Sequence, residues 1–340
     1  MTTYRILSMD GGGVRGIITA RFLQKIVARY PEFLDKVNLY AGTSAGSINA
    51  VGLAQGLTPE TLVELYQQQS ALIFQDTLWH DVGHLWGMSG AKYTAEGRHD
   101  ALAAYIEDMT LEELRAVPRA NNNVHVMIPT YQLDSDNTDY QNNPAVTQTL
   151  PLPPSMPDPS RSWKAKFFHN FTKDNTGEPN PDLNQKSLDV VLRSSAAPTF
   201  FPIYQGFVDG GVVANNPSLC ALTQAINTNT GGQKLQDVVM LSIGTGGRKK
   251  FLLAKNNDWG LAQWGLTLVD LLMESGQDLA NYQSRQLLAD CYSRLDAQLQ
   301  IDIGLDAVAL IPQMIAIVDE MEASGGMDGC FQWIEAQWLP

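Results

Sequence analysis

Short apolar runs and helix-like repeats alternate along the first part of the chain. The run Tyr4–Met9 predicts a buried strand, and apolar residues at helical spacing predict a helix over Ile17–Tyr30 that ends at Pro31. A second strand is predicted over Val37–Ala41, followed by a helix to about Gln55. Because strands and helices alternate, we expect a parallel sheet with right-handed crossovers.

The same rules predict further elements along the chain. Predicted strands cover Val124–Ile128, Lys166–His169, Tyr204–Val208 and Val238–Ile243. One predicted helix begins at Pro59, two cover Arg98–Asp108 and Leu188–Ser194, and another ends near Ile226. Most of the chain after Asp258 is also predicted to be helical. Between Leu133 and Asp182 the chain is polar and proline-rich, which predicts a surface excursion. We expect an α/β protein with a mainly parallel central sheet flanked by helices.

The composition narrows the classes of function. The chain of 340 residues has a formal net charge of −13, which argues against nucleic acid as a partner, since phosphate binding needs clustered cations. The three widely spaced cysteines, Cys220, Cys291 and Cys330, suit a reducing compartment better than a disulfide framework or a zinc site. The longest apolar run, Ala307–Val318, is short for a membrane span and contains Pro312. With no secretory signal at the N-terminus, we expect a cytoplasmic protein without metal or cofactor.

A serine turn between the second strand and its helix is the first candidate for chemistry. Gly42, Ser44 and Gly46 have the G-x-S-x-G spacing, which places a serine hydroxyl on a tight strand-to-helix turn. The following helix adds partial positive charge near the serine oxygen and so favours negative charge there. Since the same spacing occurs in ordinary loops, the turn alone does not decide between a nucleophile and a structural serine.

A glycine loop after the first strand has two interpretations. Gly11, Gly13 and Gly16 satisfy the G-x-G-x-x-G fingerprint of dinucleotide-binding folds, which would make the protein an oxidoreductase. That alternative predicts an acidic residue at the end of the second strand, where the serine turn lies instead. Glu32 and Asp35 precede that strand and are therefore in the wrong place.

The second interpretation uses the backbone of the same loop. Consecutive N–H groups of Gly11, Gly12 and Gly13 at the start of a helix can bind an anion. Beside a nucleophilic serine they would form an oxyanion hole, and Arg15 would steady the loop or add charge. A tight turn without a ligand is less expected, because three consecutive glycines are entropically costly.

A serine nucleophile needs a base, and the sequence offers two arrangements. A triad could use Ser44, Asp134 or Asp139, and His169, but these aspartates lie in a polar loop and no histidine follows His169. The other candidate, Asp209, follows a predicted strand and precedes two glycines. In α/β sheets, binding and catalytic sites are commonly found at such strand ends. Because aspartate before glycine is also common in plain turns, spacing alone leaves its role open.

Three motifs together resemble the patatin-like phospholipases. They are Asp10–Gly16 (DGGGVRG), Gly42–Gly46 (GTSAG) and Asp209–Gly211 (DGG), in that order. Three further stretches are similar to the same family, namely Ser195–Pro202, Val212–Pro217 and Leu241–Gly246. The resemblance spans residues 4–247, and it leaves 76–185 and the tail without a matching motif.

The resemblance implies a lipid acyl hydrolase of the phospholipase A type that uses a Ser-Asp dyad without histidine. The implied site consists of the nucleophile Ser44, the base Asp209, and an oxyanion hole of Gly11, Gly12 and Gly13 supported by Arg15. Because an ordinary aspartate has a pKa of about 3.9, burial must raise that value for Asp209 to act as a base near neutral pH.

The resemblance also implies how the chain is organised and what it contacts. We expect a three-layer patatin-like fold, with a catalytic domain over 1–250, a variable insertion at about 76–185, and a helical extension over 251–340 packed on the same domain. The substrate would be a phospholipid or another acyl-ester lipid, met through transient contact with a membrane surface. In the loop that follows Asp76, Trp79 and Trp86 either touch lipid or pack as core. An effector activated by a signal such as a cyclic nucleotide is an alternative.

Overall fold

The computed structural model describes residues 3–74, 91–117, 124–135, 161–248, 251 and 259–340, with the backbone alone for 261–263 and 265–270. Within these ranges seven strands form one sheet: β1 (Tyr4–Met9), β2 (Leu39–Gly42), β3 (His125–Gln132), β4 (Lys164–His169), β5 (Phe207–Asp209), β6 (Val238–Ile243) and β7 (Tyr292–Leu295). The strand order is β4-β3-β2-β1-β6-β7, and β5 lies beside β3.

The central strands of this sheet are parallel. β1 pairs in parallel with β2 and β6, β2 pairs in parallel with β3, and β6 pairs in parallel with β7. β4 and β5 both run antiparallel to β3. The mainly parallel sheet confirms the predicted α/β class.

Helices cover both faces of the sheet. Those before β3 are α1 (Gly16–Arg29), α2 (Ala45–Gln55), α3 (Pro59–Ile73), α4 (Ala95–Ala103) and α5 (Leu111–Arg115). The later ones are α6 (Ser187–Ser194), α7 (Gly211–Ala214), α8 (Ser218–Ile226), α9 (Leu261–Leu288), α10 (Ile311–Ala323) and α11 (Asp328–Trp333), which continues into a π-helical turn over Ile334–Trp338. None of the described helices is long and apolar enough to cross a lipid bilayer.

Alternation along β1 explains why both faces are covered. Leu7 and Met9 belong to a large core shared with α1, α2 and α3, whereas Tyr4 and Ile6 belong to a smaller core shared with α8. Because side chains of a strand point to opposite faces in turn, a strand that is apolar throughout must be buried on both sides. The result is the three-layer arrangement expected from the sequence.

The placement of β5 brings two distant parts of the chain together. β2 pairs with β3 over His125–Met127 and ends at Gly42, whereas β5 pairs with the last part of β3, with Asp209 opposite Thr130. Since β4 occupies the other edge of β3, β5 continues along the edge that β2 leaves. The carboxyl end of β2 and Asp209 therefore lie side by side.

The C-terminal region is part of the same sheet. It is mostly helical, as expected, but β7 adds a parallel strand beside β6 that the sequence pattern did not predict. The chain end is also bound to β1, because the Arg5 guanidinium donates to the carbonyls of Trp338 and Pro340 at 2.5 and 2.7 Å. The Trp338 ring stacks on Phe33, with 4.7 Å between the ring centres. The described part of 251–340 thus completes the sheet as well as packing on it.

Two predicted segments differ in the structure. α4 covers Ala95–Ala103 rather than Arg98–Asp108, with Thr94 in extended conformation before its first turn and Ala104 at its C-cap. The stretch 76–185, expected to be a variable insertion, contains the strands predicted over Val124–Ile128 and Lys166–His169, and through β3 and β4 its described parts contribute to the central sheet.

Candidate active site

Ser44 lies on the sharp turn between β2 and α2. Its backbone has φ 53° and ψ −121°, and a positive φ costs a non-glycine residue roughly 1–3 kcal/mol. Hydrogen bonds close the turn, from the Gly46 N–H to the Thr43 carbonyl at 2.7 Å and from the Ser47 N–H to the Ser44 carbonyl at 2.8 Å. The turn holds the Ser44 side chain at the start of α2, where the residue is 9% exposed.

Close packing around the turn explains the two glycines that flank the serine. A side-chain carbon on Gly42 would collide with the Gly46 carbonyl oxygen, and one on Gly46 would collide with the Met9 carbonyl oxygen. Any larger residue would therefore push α2 away from β1 and β2.

Asp209 ends β5 and faces the serine. The Ser44 hydroxyl donates a hydrogen bond to Asp209 Oδ2 at 2.6 Å, and the Gly211 N–H donates to Oδ1 at 2.6 Å. The carboxylate is 4% exposed. Gly210 packs so closely on the Pro129 carbonyl that a side-chain carbon would collide with it. With one donor on each oxygen, the carboxylate is held in one orientation toward Ser44.

Burial raises the pKa of Asp209 from 3.8 to about 6. The hydrogen bonds from Ser44 and Gly211 and the charge of Arg98 lower it, but they do not outweigh the loss of hydration. A carboxylate with such a pKa is mostly ionised at neutral pH and is a stronger base than an exposed aspartate.

A short segment at the end of α6 connects the serine to the carboxylate. The Ser194 hydroxyl accepts the Ser44 N–H at 3.0 Å and donates to the Pro129 carbonyl at 2.7 Å. Two residues later, the Ala196 carbonyl accepts the Asp209 N–H at 3.0 Å. The segment therefore helps to fix the distance between the two side chains. Sequence reasoning missed Ser194, because its contacts come from strands far apart in the chain.

The glycine loop between β1 and α1 passes close to Ser44. The Gly11 N–H donates to the Asn215 carbonyl at 3.0 Å, whereas no described residue accepts the N–H of Gly12 or Gly13. A side-chain carbon on Gly11 would lie 3.2 Å from Ser44 Cβ. Of the three predicted donors, those of Gly12 and Gly13 are therefore the ones available to a ligand oxygen.

Arg15 connects the glycine loop to the turn after β6. Its guanidinium donates to the carbonyls of Gly12 and Gly246, each at 3.4 Å. Arg15 thus lies where a residue that steadies the loop would lie.

The chain also matches a known family over most of these residues. A family model described as Patatin-like phospholipase matches residues 7–222. The chain belongs to the patatin-like phospholipase family. Protein teg of Priestia megaterium is 25% identical over 99% of this chain and 100% of its own length. Patatin-like protein 4 of Arabidopsis thaliana is 25% identical over 86% of this chain and 75% of its own. A cGAMP-activated phospholipase of Vibrio cholerae is 29% identical over 81% and 75%.

Membership in this family argues against the dinucleotide-binding interpretation of the glycine loop. The matched region is that of a phospholipase, and it contains the loop, Ser44 and Asp209. The spacing of Gly11, Gly13 and Gly16 therefore belongs to a patatin-like motif, and the oxidoreductase alternative loses its support.

A buried ion pair joins the glycine loop of this patatin-like phospholipase to β7. The Arg294 guanidinium donates to both oxygens of Asp10, at 2.9 and 2.6 Å, and to Asp296 Oδ2 at 2.8 Å. Asp10 is fully buried and immediately precedes Gly11. Arg294 lies beyond the region that the family model matches and 284 positions from Asp10, so no local motif in the sequence indicates it.

The histidine triad considered from the sequence is not formed by the residues that the structure describes. The Asp134 carboxylate pairs with Arg161, with 3.0 Å between Nε and Oδ1. His169 is buried on β4, which lowers its pKa to about 4. The Ser44 hydroxyl donates to the carboxylate described above and not to an imidazole. Asp139 lies outside the described residues.

An apolar cavity lies beside Ser44. Gly13 and Ser44 line it together with side chains of α2, α3 and the loop after α6, among them Ile48, Tyr66, Ile73, Phe74, Phe200 and Phe201. Its apolar walls can contact part of an acyl chain, and each methylene group removed from water contributes about 0.8 kcal/mol. The cavity volume of about 40 Å³ is smaller than a whole chain. Two polar side chains, Arg98 and Ser70, line the same cavity.

Proposed function

We propose that this patatin-like phospholipase hydrolyses acyl esters of phospholipids, a phospholipase A-type reaction, through a dyad of Ser44 and Asp209. The observation that carries the proposal is the 2.6 Å hydrogen bond from the Ser44 hydroxyl to Asp209, at a turn beside an apolar cavity. A serine nucleophile needs a base within hydrogen-bond reach, and the carboxylate meets that requirement.

In the first half of the reaction Ser44 Oγ attacks the ester carbonyl carbon while its proton passes to Asp209. The former carbonyl oxygen carries the negative charge, and the N–H groups of Gly12 and Gly13 stabilise it. A donor of this kind contributes about a hundred- to a thousandfold in rate. Collapse of the intermediate breaks the bond to the leaving oxygen, which takes the proton from Asp209. A lysophospholipid departs, and Ser44 remains acylated.

In the second half a water molecule attacks the acyl carbon and gives a proton to Asp209. Collapse of this second intermediate breaks the bond to Ser44 Oγ, which takes the proton back, and a fatty acid leaves. A pKa of about 6 suits both steps, since the carboxylate is ionised when it must accept a proton and acidic enough to return it.

Release of fatty acid from phosphatidylcholine vesicles tests this proposal. Wild-type protein is expected to release fatty acid and lysophospholipid, whereas Ser44→Ala and Asp209→Asn lower kcat/KM by about a thousandfold or more. Asp319→Asn is the matched control, because Asp319 is a carboxylate in a surface ion pair with Arg21 and Lys25 and should leave turnover unchanged. Undiminished release by Ser44→Ala would contradict the proposed nucleophile.

We further propose that the enzyme acts in the cytoplasm and meets its substrate through transient contact with a membrane surface. The predicted lipid contacts, Trp79 and Trp86, lie outside the described residues. Replacing either by Ala is expected to lower activity on vesicles and to leave activity on a soluble ester unchanged. Equal losses on both substrates would show that the tryptophans are structural.

A second candidate is an effector whose hydrolysis is triggered by a cyclic nucleotide. It is favoured by two relatives, from Vibrio cholerae and Pseudomonas aeruginosa, that are cGAMP-activated phospholipases and are 29% and 25% identical to this chain. Adding cGAMP to the purified protein separates the candidates. A rise in turnover of about tenfold or more supports a triggered enzyme, and equal turnover with and without cGAMP supports a constitutive one.

A further inference from the structure

Two buried polar side chains in the cavity beside Ser44 have unused hydrogen-bonding groups. Arg98, on α4, is 2% exposed, and Ser70, on α3, is 1% exposed. Among the described residues, nothing bonds to Arg98 Nε, to Arg98 Nη2 or to Ser70 Oγ. Buried polar atoms are normally hydrogen-bonded, so three unused groups on side chains that line one cavity require an explanation.

The surroundings of Arg98 use only part of its bonding capacity. Nη1 donates to the Ser195 carbonyl, and the guanidinium carbon lies 4.5 Å from the centre of the Phe201 ring and 5.9 Å from that of the Tyr204 ring. Ring contacts stabilise the charge, but the N–H groups lie in the guanidinium plane and still need acceptors. Burial lowers the pKa of Arg98 to about 10, so the side chain stays charged at neutral pH.

No carboxylate supplies those acceptors. Within the described part of the chain, no aspartate or glutamate lines the cavity. Asp209 is close enough for its charge to raise the pKa of Arg98, but the two side chains form no hydrogen bond, and the Asp209 oxygens accept from Ser44 and Gly211 instead. An acceptor for the guanidinium therefore has to come from outside the described protein groups.

The character of the cavity defines the class of ligand. A guanidinium edge and a hydroxyl donate hydrogen bonds, and they match the oxygens of a carboxylate or a phosphodiester. The other walls are largely apolar or aromatic, as at Ile48, Ile73 and Phe74, and suit a hydrocarbon chain. A ligand that satisfies both parts is an amphiphile with an oxyanion.

We propose that Arg98 and Ser70 form a binding subsite for the oxyanion of such an amphiphile, either the phosphodiester of the substrate or the carboxylate of the fatty-acid product. The inference rests on the proposed function, since it places both parts of the lipid beside Ser44. When Asp209 takes the serine proton, Arg98 loses a compensating negative charge, and its attraction for the oxyanion increases. Because the free donors are enclosed, side chains that line the cavity must shift as the ligand enters.

Calorimetric titration of the inactive Ser44→Ala protein tests the subsite without requiring hydrolysis. The ligands are dodecanoate, dodecylphosphocholine and dodecanol, all kept monomeric, which share one chain and differ in the head group. Adding Arg98→Met is expected to weaken binding of dodecanoate, of dodecylphosphocholine or of both about 10- to 100-fold, and to change the Kd of dodecanol less than about threefold. Adding Ser70→Ala should weaken binding of the same oxyanion ligand about fivefold.

Arg193→Met in the same background is the matched control. Arg193 is also a buried arginine stacked on a phenylalanine, with its guanidinium carbon 5.0 Å from the centre of the Phe207 ring. Its donors are already bonded to Gln185 and Gln205, and it does not line the cavity. The ratio of anion to alcohol affinity should therefore stay at the parent value. Thermal unfolding of each variant checks that it is folded.

The three ligands identify the source of the oxyanion. If only dodecanoate binding is weakened, the subsite holds the carboxylate of the product. If only dodecylphosphocholine binding is weakened, it holds the phosphodiester of the substrate. If binding of both is weakened, the subsite accepts both oxyanions. An unchanged preference for the oxyanion ligands over dodecanol in both Arg98→Met and Ser70→Ala would overturn the subsite, and so would failure of the parent to bind either dodecanoate or dodecylphosphocholine. If Arg98→Met does not fold, the ratio of oxyanion-ligand affinity to dodecanol affinity in Ser70→Ala and Arg98→Lys tests the subsite instead. Binding through Arg98 by a protein that releases no fatty acid from vesicles would refute the proposed function and retain the subsite.

Discussion

Replacing Asp209 by Asn is expected to stabilise the protein at neutral pH while it removes the proposed base. Burial raises the pKa of this carboxyl from 3.8 to about 6 in the folded protein. A shift of about 2 units, at about 1.4 kcal/mol for each unit, corresponds to about 3 kcal/mol. Because the folded state binds the proton more tightly than the unfolded state, stability is greatest below about pH 4 and is lost as the pH rises through about 6.

The Asp209→Asn side chain keeps the shape of the carboxylate but cannot ionise. Its carbonyl oxygen can accept the Gly211 N–H, and its amide can donate to the Ser44 hydroxyl, so both contacts of the native residue have a replacement. We therefore expect the variant to be more stable than wild type by about 3 kcal/mol at about pH 8, and the difference to approach zero near pH 4.

Urea unfolding between about pH 5 and about pH 8 measures this difference. Asp319→Asn is a control of opposite sign: partial burial raises the pKa of Asp319, but the hydrogen bonds and charges of Lys25 and Arg21 outweigh it and lower the pKa overall. Replacing the Asp319 carboxylate by an amide should therefore slightly destabilise the protein at neutral pH. An Asp209→Asn protein that is less stable than wild type at about pH 8, or whose advantage does not vary with pH, would refute the reasoning.

The other predictions concern the pH profile and the residues that support the site. With a soluble ester, kcat/KM should fall about tenfold per pH unit below about pH 6 as Asp209 is protonated, and a flat profile to about pH 4.5 would contradict its role as base. Ser194→Ala leaves the Ser44 N–H without its acceptor, so urea unfolding should show a loss of about 1–3 kcal/mol together with a lower kcat. Arg294→Met leaves the buried Asp10 carboxylate unpaired and should cost about 3–5 kcal/mol, partly recovered by adding Asp10→Asn; no recovery would mean that charge is not the cause.

Features that depend on local spacing were predictable from the sequence. β1 and β6 have the predicted bounds, because each is a short run of buried residues in the middle of a parallel sheet. The motifs around Ser44 and Asp209 were also evident, since tight turns require glycine at fixed positions next to these residues.

Features that depend on contacts between distant segments were not predictable. β7 is a four-residue strand with two half-buried positions, so its sequence has no strong period, and only its pairing with β6 makes it a strand. Ser194, Arg98 and Arg294 are a serine and two arginines without a motif of their own. Ser194 bonds to Ser44, Arg98 lines the cavity beside Ser44, and Arg294 pairs with Asp10, and a single sequence does not reveal these contacts.

Covalent labelling with a fluorophosphonate tests the dyad most directly, because the probe reacts with an activated serine whatever the natural lipid is. The labelled residue can be located by peptide mass spectrometry. We expect wild-type protein to be labelled at Ser44 and Ser44→Ala to remain unlabelled. The labelling rate of Asp209→Asn should be lower than that of wild type by about a thousandfold or more. Labelling that persists in Ser44→Ala, or that proceeds at the wild-type rate in Asp209→Asn, would contradict the Ser-Asp mechanism.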